Sequence, residues 1–296
     1  MDLTSPKNIK GLLAEYGAKP SKGLGQNFLI DKHILEKIIK TADIKSDDII
    51  LEVGPGIGTL TQELAKKAEK VIAVEKDKKM CEVLKETLKD FKNIEIINDD
   101  ILKIKKLEKF KNYKVAANIP YYLTSPLIRK LLEVQNPPEF MVLMVQKEVA
   151  QRICSKPPDM SILAVSVQFY AEPKIISYVS KNCFWPAPKV DSAIIKIIPR
   201  RSAEVPFGSS ADFRDSFFQV VKAGFAHPRK QLVNNLSTLK LLNGVKLDKR
   251  GAAELILSNN LKPTQRPETL NVSDWVNLTE YLTKSFEILK TSKSLC

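Results

Sequence analysis

The 296-residue sequence has only two histidines and four cysteines, and neither type clusters. Cys81, Cys154, Cys183 and Cys296 show no CxxC spacing, and His33 and His227 stand far apart. This scatter excludes the ligand runs of zinc sites and the paired spacing of a disulfide framework, so the thiols read as reduced and no metal is expected. Long apolar runs are missing as well. The longest, Phe140 to Val145, falls far short of the roughly 20 residues that cross a bilayer, and reads as a buried strand. The opening residues Met1-Asp2-Leu3-Thr4-Ser5-Pro6 have neither an apolar core after a basic start nor an Arg/Ser-rich amphipathic stretch. No targeting segment is therefore expected, and the protein is read as cytoplasmic and without a membrane partner. Internal repeats and low-complexity segments are also lacking.

Basic charge is what the chain has in excess. Lys and Arg number 47 against 34 Asp and Glu, a net charge of +13, with +8 falling over residues 1–205 and +5 over 206–296. No basic tail carries it. Such an excess admits two readings: a polyanionic partner whose phosphates release counterions when neutralised, or simply a lysine-rich solvated surface.

From Asp31 onward, helix-period and strand-like segments alternate. Asp31 is placed to cap a helix whose face is Ile34, Leu35, Ile38 and Ile39. The predicted strands are Ile49–Val53, Val71–Glu75, Ile94–Ile97, Val115–Ala117, Phe140–Val145, Ile175–Val179 and Ala193–Ile198. Between them, helices are predicted over Thr59–Lys67, Lys78–Leu88 and Pro126–Leu132, the last with Thr124 or Ser125 as its cap. This is the pattern of an α/β domain with a mostly parallel sheet. After Pro199 the strand signals stop, and Arg200 to Ser210, with Pro206, Gly208 and three serines, reads as a linker. Helical spacing follows over Phe213–Lys222, Lys230–Leu241, Ala252–Leu257 and Val272–Leu289, which predicts a small all-helical domain.

Leu51-Glu52-Val53-Gly54-Pro55-Gly56-Ile57-Gly58 puts glycines at alternate positions where a strand meets a helix. Glycine there lets backbone approach a ligand closely. Dinucleotide-binding turns and plain tight turns use similar loops, but the spacing is GxGxG rather than GxGxxG, and Glu75 closes the next strand. A carboxylate at that strand end suits both ribose hydroxyls of a nucleoside; an ordinary charged strand end is the alternative. Asp100, chosen over Asp99, would lie beside the same crevice and accept an adenine amino group. Gly54, Gly56, Glu75 and Asp100 therefore form one candidate nucleoside site.

The fourth strand runs into Asn118-Ile119-Pro120-Tyr121-Tyr122. An adenine N6 amine is a poor nucleophile because its lone pair is delocalised into the ring. If the Asn118 side-chain oxygen and the Pro120 carbonyl each accept one N6 hydrogen, the lone pair is aimed at an electrophilic methyl group. Tyr121 offers a face on which an extruded base stacks. No general base is needed for such a transfer. The alternative is a strand-ending turn with locally packed aromatics.

These residues, together with Gly25-Gln26-Asn27-Phe28-Leu29, Val74-Glu75-Lys76-Asp77, Asp100-Ile101-Leu102, Gln146-Lys147-Glu148-Val149-Ala150-Gln151-Arg152, and Phe184-Trp185-Pro186-Ala187-Pro188-Lys189-Val190-Asp191-Ser192, resemble the ribosomal RNA adenine N6-dimethyltransferase family. Arg229-Lys230 and Arg266-Pro267-Glu268-Thr269-Leu270 extend the likeness over nearly the whole chain. The resemblance implies a Rossmann-like class I methyltransferase domain over residues 31–200, a linker over 201–210 and a helical domain over 211–296, with segment 1–30 contributing to the cofactor site. It implies S-adenosyl-L-methionine as cofactor, held by Asn27, Leu29, Gly54, Gly56, Glu75, Asp100 and Asn118. It adds Phe184 as the second aromatic that sandwiches the target base opposite Tyr121. The implied substrate is 16S ribosomal RNA in an immature 30S subunit, methylated on two adjacent adenosines near its 3′ end by a monomeric enzyme. One departure is Ala226-His227-Pro228, where a more polar or basic run is expected, so His227 is read as a helix-entry residue. Two further readings remain: a methyltransferase for a single adenine of large-subunit RNA, and a non-catalytic RNA-binding protein on the same fold.

Overall fold

A computed structural model describes residues 1–21, 23–105, 111–200, 210–239 and 247–293, with side chains as far as 284. The chain divides into two compact units, Met1–Gln151 with Ala171–Pro199, and Arg152–Tyr170 with Arg200–Cys296. Residues 152–170, placed by the sequence reading in the sheet-bearing domain, thus group with the helical unit. The expected linker falls, apart from its ends, outside the described residues, as does Cys296.

The first unit is built on strands β2 (Ile49–Val53), β3 (Lys70–Glu75), β4 (Ile94–Asn98), β5 (Tyr113–Asn118), β6 (Met141–Gln146), β7 (Ala171–Val179) and β9 (Ser192–Pro199). They form one sheet in the order β4-β3-β2-β5-β6-β9-β7. The first five neighbours pair in parallel, and β9 is antiparallel to both β6 and β7. Parallel strands are covered on both faces, which is why Val71–Val74 and Met141–Val145 are apolar without alternation. A separate antiparallel ribbon joins β1 (Phe28–Leu29) to β8 (Phe184–Trp185). These two-residue strands are too short to leave a period in the sequence.

Helices α1 (Pro6–Glu15), α2 (Lys32–Thr41), α3 (Thr59–Ala65), α4 (Lys78–Thr87) and α5 (Thr124–Glu133) belong to this unit. Asp31 caps α2 as expected, its carboxylate accepting the Ile34 amide at 3.1 Å. For α5 the expected cap fails. Leu123 occupies the cap position with no side-chain bond, and the Thr124 hydroxyl donates instead to the Tyr121 carbonyl at 3.0 Å. The turn before α5 already folds its backbone into a 3-10 helix over Tyr121–Leu123, so the cap amides are satisfied locally. Helix α1, which the sequence reading left unassigned, lays Ile9, Leu12 and Leu13 into a core shared with Phe28, Ile57, Met80 and Val83. The opposite core sets Leu35, Ile38, Leu60 and Leu64 against Ile50, Val71, Ala116 and Val142 of the sheet. Full burial of each such side chain contributes about 1.5–3 kcal/mol.

Helix α6 (Lys147–Ile153) carries the chain out of the sheet. The second unit contains α7 (Ile162–Tyr170), α8 (Ala211–Gly224), α9 (Leu232–Leu236), α10 (Lys249–Ser258) and α11 (Val272–Lys293). Phe169 of α7 stacks on Phe217 of α8 with ring centroids 4.2 Å apart, which is why the 152–170 segment joins this unit. Helix α9 is shorter than predicted within the described residues. At the end of α8, Gly224 lies against the fully buried Trp275 ring, and a Cβ there would come within 2.2 Å of it. His227 lies exposed in the loop between α8 and α9, its carbonyl accepting the buried Asn235 amide at 3.0 Å. None of the described helices is long and apolar enough to cross a membrane.

Candidate active site

Strand order reverses between β2 and β5: β3 and β4 lie on one side, β5 and β6 on the other. At such a switch point the loops leaving the C-terminal strand ends part and leave a crevice, the general ligand position of open α/β sheets. The crevice here is lined by the turns after β2, β3, β4 and β5, by Leu24–Leu29, and by Phe184. It thus gathers every residue that the sequence reading singled out for cofactor or base.

The β2 turn is shaped by close backbone approach. Gly54 and Gly56 adopt φ of +70° and +60°, where L side chains are strained. A Cβ on Gly54 would meet Pro120 Cδ at 3.1 Å, and one on Gly56 would meet the Phe28 ring at 3.0 Å. Glu75 holds this turn in place. Its carboxylate accepts the Gly56 amide at 3.2 Å and the Asp77 amide at 2.8 Å, and burial raises its pKa against those two bonds. Each carboxylate oxygen keeps a further acceptor position for a ligand.

Asp100 also faces the crevice, but it is not free. Lys76 Nζ lies 3.0 Å from its Oδ2 and holds its carboxyl below the usual range, while Oδ1 accepts the Leu102 amide at 3.0 Å. Asp99 lines the crevice too and accepts the Asp100 amide at 2.7 Å. Lys130 of α5 ties the same loop down by donating to the carbonyls of Leu102 and Ile104, each at 2.8 Å.

At the end of β5, the Asn118 Nδ2 donates to the Asn27 carbonyl at 3.1 Å. With its NH2 engaged, the amide presents Oδ1 as the acceptor. The Pro120 carbonyl accepts the Leu123 amide at 2.9 Å, so one of its two lone-pair positions is already used. Tyr121 is half-buried, and its hydroxyl shares a 2.8 Å hydrogen bond with Ser192 Oγ on β9. That bond fixes the ring from the far end. Phe184 forms part of the crevice wall while only 3% exposed, packed in the same core as Leu29 and Leu35. Asn27 donates to the Gly25 carbonyl at 3.0 Å, and Leu29 is buried on β1.

The sequence profile of the family described as ribosomal RNA adenine dimethylase matches residues 17–283. The chain belongs to this family. It is 42% identical over 290 residues to the ribosomal RNA small subunit methyltransferase A of Alkaliphilus oremlandii, covering 95% of this chain and 98% of that protein. It is 40% identical to the protein of the same name from Geobacillus kaustophilus, over 96% of this chain and 98% of the other. Among solved structures, a dimethyladenosine transferase from Plasmodium falciparum superposes with a TM-score of 0.74 at 29% identity, over 87% of this chain and 98% of its own. The 23S rRNA methyltransferase ErmE superposes with a TM-score of 0.68 at 27% identity, over 86% of this chain and 98% of its own. As a member of the adenine dimethylase family, the chain is a methyltransferase with a Rossmann-like sheet.

Four site residues carry roles that the sequence reading did not assign. Glu52, inside the quoted glycine motif, is 1% exposed on the crevice wall, and its Oε2 has no hydrogen-bond partner among the described residues. Desolvation pushes its carboxyl up to about 8, opposed by the Thr61 hydroxyl and reinforced by the Glu75 charge. Lys76 and Ser192 contact Asp100 and Tyr121, respectively. Gln26 donates to Asp77 Oδ2 at 3.0 Å, tethering residues 23–27 to the start of α4. All four fall inside motifs quoted for the resemblance, but Glu52 alone carries a signal of its own: an acidic residue is out of place in a strand predicted to be wholly buried.

Proposed function

We propose that the protein transfers methyl groups from S-adenosyl-L-methionine to N6 of two adjacent adenosines near the 3′ end of 16S ribosomal RNA, acting as a cytoplasmic monomer on an immature 30S subunit. The observation that supports the reading is the Asn118 amide, whose NH2 is engaged by the Asn27 carbonyl and whose oxygen is left as an acceptor, on a crevice lined also by Tyr121 and Phe184.

The residues present fit the cofactor. Glycine backbone at Gly54 and Gly56 leaves the room that a Cβ would fill, Glu75 offers acceptors to ribose hydroxyls, and the unpartnered Glu52 oxygen suits a cationic group. Asp100 would take the adenine amino group, sharing its carboxylate with Lys76, and Asn27 and Leu29 would close the site from the N-terminal side. When bound, the cofactor supplies a methyl group on positively charged sulfur.

The chain's own residues then solve the problem of a weak nucleophile. Asn118 Oδ1 and the remaining lone pair of the Pro120 carbonyl accept the two N6 hydrogens and hold the amine with its lone pair aimed along the crevice. Tyr121, braced by Ser192, stacks on the extruded base, and Phe184 would cover its other face once the β1–β8 ribbon gives way slightly. The proton left on the methylated amine passes to water, so no side chain with base character is required. Mass spectrometry of the 3′-terminal small-subunit RNA fragment from cells lacking the protein tests this: dimethyladenosine is expected to be missing. Its presence at normal level would defeat the proposal.

A further inference from the structure

A second groove opens beside Ser192. It is lined by Gln146 and Lys147 at the end of β6, by Glu148 and Gln151, by Lys181 of the turn after β7, and by Lys189, Val190 and Asp191 from the loop before β9. Gln146 and Ser192 are register partners, and the Lys147 amide donates to the Asp191 carbonyl at 3.0 Å, so the groove begins one strand position from the hydroxyl that braces Tyr121.

Its three lysines outnumber its two carboxylates, Glu148 and Asp191. Lys147, Lys181 and Lys189 enter no ion pair among the described residues, whereas Asp191 spends Oδ1 on the Lys181 amide at 3.0 Å. Beside the groove, Tyr178 of β7 leaves 52% of its surface exposed, and Lys147 Nζ lies 5.1 Å from its ring centroid. An exposed aromatic face next to unpaired ammonium groups is the combination that holds single-stranded nucleic acid, bases stacking while lysines meet phosphates.

We infer that this groove holds the nucleotide next to the target adenosine, its phosphate among Lys147, Lys181 and Lys189 and its base against Tyr178. The inference rests on the RNA substrate proposed above. It gives the extruded adenosine a fixed neighbour: with the flanking nucleotide held, the target base can swing toward Tyr121 without the strand sliding.

Binding of the full chain to a single-stranded RNA of the small-subunit 3′ sequence, measured across a salt series, tests it. Replacing all three lysines by glutamine (Lys147→Gln, Lys181→Gln, Lys189→Gln) should cut the slope of log affinity against log salt by about two, since each single-strand phosphate contact contributes roughly 0.7. Tyr178→Ala should weaken RNA binding on the order of tenfold, and Tyr178→Phe should restore it. Cofactor affinity should match wild type in every variant, and Lys189→Gln alone, at an exposed position, supplies the measurement if the triple variant unfolds. Variants that keep the wild-type slope and affinity, while wild-type protein methylates small subunits lacking dimethyladenosine, overturn the groove assignment alone. Wild-type protein that methylates neither the RNA nor small subunits lacking dimethyladenosine overturns the reading beneath it as well.

Discussion

Asn118 and Asn27, 91 residues apart in sequence, are joined by a 3.1 Å hydrogen bond from the side-chain amide of the first to the backbone carbonyl of the second. The bond engages the NH2 end of the Asn118 amide, which leaves Oδ1 as its acceptor, and it links the N-terminal segment to the turn after β5.

Replacing Asn118 by alanine removes the acceptor while leaving the glycine turn, Glu75 and Glu52 untouched. Turnover should fall on the order of 10²–10³-fold, comparable with loss of a preorganised polar group aimed at a transition state. Cofactor affinity should change no more than a few-fold. Calorimetric titration beside single-turnover kinetics separates the two, and equal losses in both would contradict the assigned role.

Glu75 divides the opposite way. Its carboxylate supports the Gly56 and Asp77 amides and would hold the ribose, so Glu75→Ala should weaken cofactor binding by about 10- to 100-fold, from about 1.5–3 kcal/mol per lost charged hydrogen bond. The rate of the chemical step at saturating cofactor should survive. A variant with wild-type cofactor affinity would remove Glu75 from the site.

Glu52 makes the site pH-dependent. Its pKa of about 8 lies above the ordinary 4.5, so the folded chain binds more protons than the unfolded chain between those values. The stability linked to this group is therefore fully present below the lower value and is lost as pH rises toward the upper one. A cationic ligand favours the carboxylate, so cofactor binding near neutral pH should release a proton and strengthen as pH rises toward about 8. Calorimetry in buffers of different ionisation enthalpy reads that proton. Glu52→Gln should abolish the release and flatten the pH dependence of stability, and an unchanged release in the variant would refute the assignment.

In the helical unit, Gly224 is fixed by Trp275. A methyl group 2.2 Å from the indole cannot be accommodated without moving that buried ring. Gly224→Ala should destabilise the protein by about 1–3 kcal/mol, as overpacked cores do. Denaturant melts of the full chain measure it; a stability equal to wild type would show that the ring has room to shift.

Much of the sheet was readable because buried parallel strands announce themselves. Ile49–Val53 has its predicted bounds, and β3, β5 and β6 differ from theirs by one or two residues. The glycine turn and Asn118 stood out because their residue types are costly anywhere else. What escaped depends on contacts remote in sequence. Helix α1 carried a legible face, Ile9, Leu12 and Leu13 behind Pro6, but only its packing on Met80 and Val83 gives it a place. Residues 152–170 show no break in composition; their grouping follows from the Phe169–Phe217 stack. The Lys76–Asp100 pair and the Tyr121–Ser192 bond join loops from different strands, and no spacing rule reports them.

Transfer of radiolabelled methyl groups from S-adenosyl-L-methionine to purified small subunits lacking dimethyladenosine, beside naked large-subunit RNA, tests the central claim most directly. Labelled N6-dimethyladenosine at two adjacent positions near the 3′ end of the small-subunit RNA, with the large-subunit RNA unlabelled, is the predicted result. Label on the large-subunit RNA alone, or on neither, would contradict it.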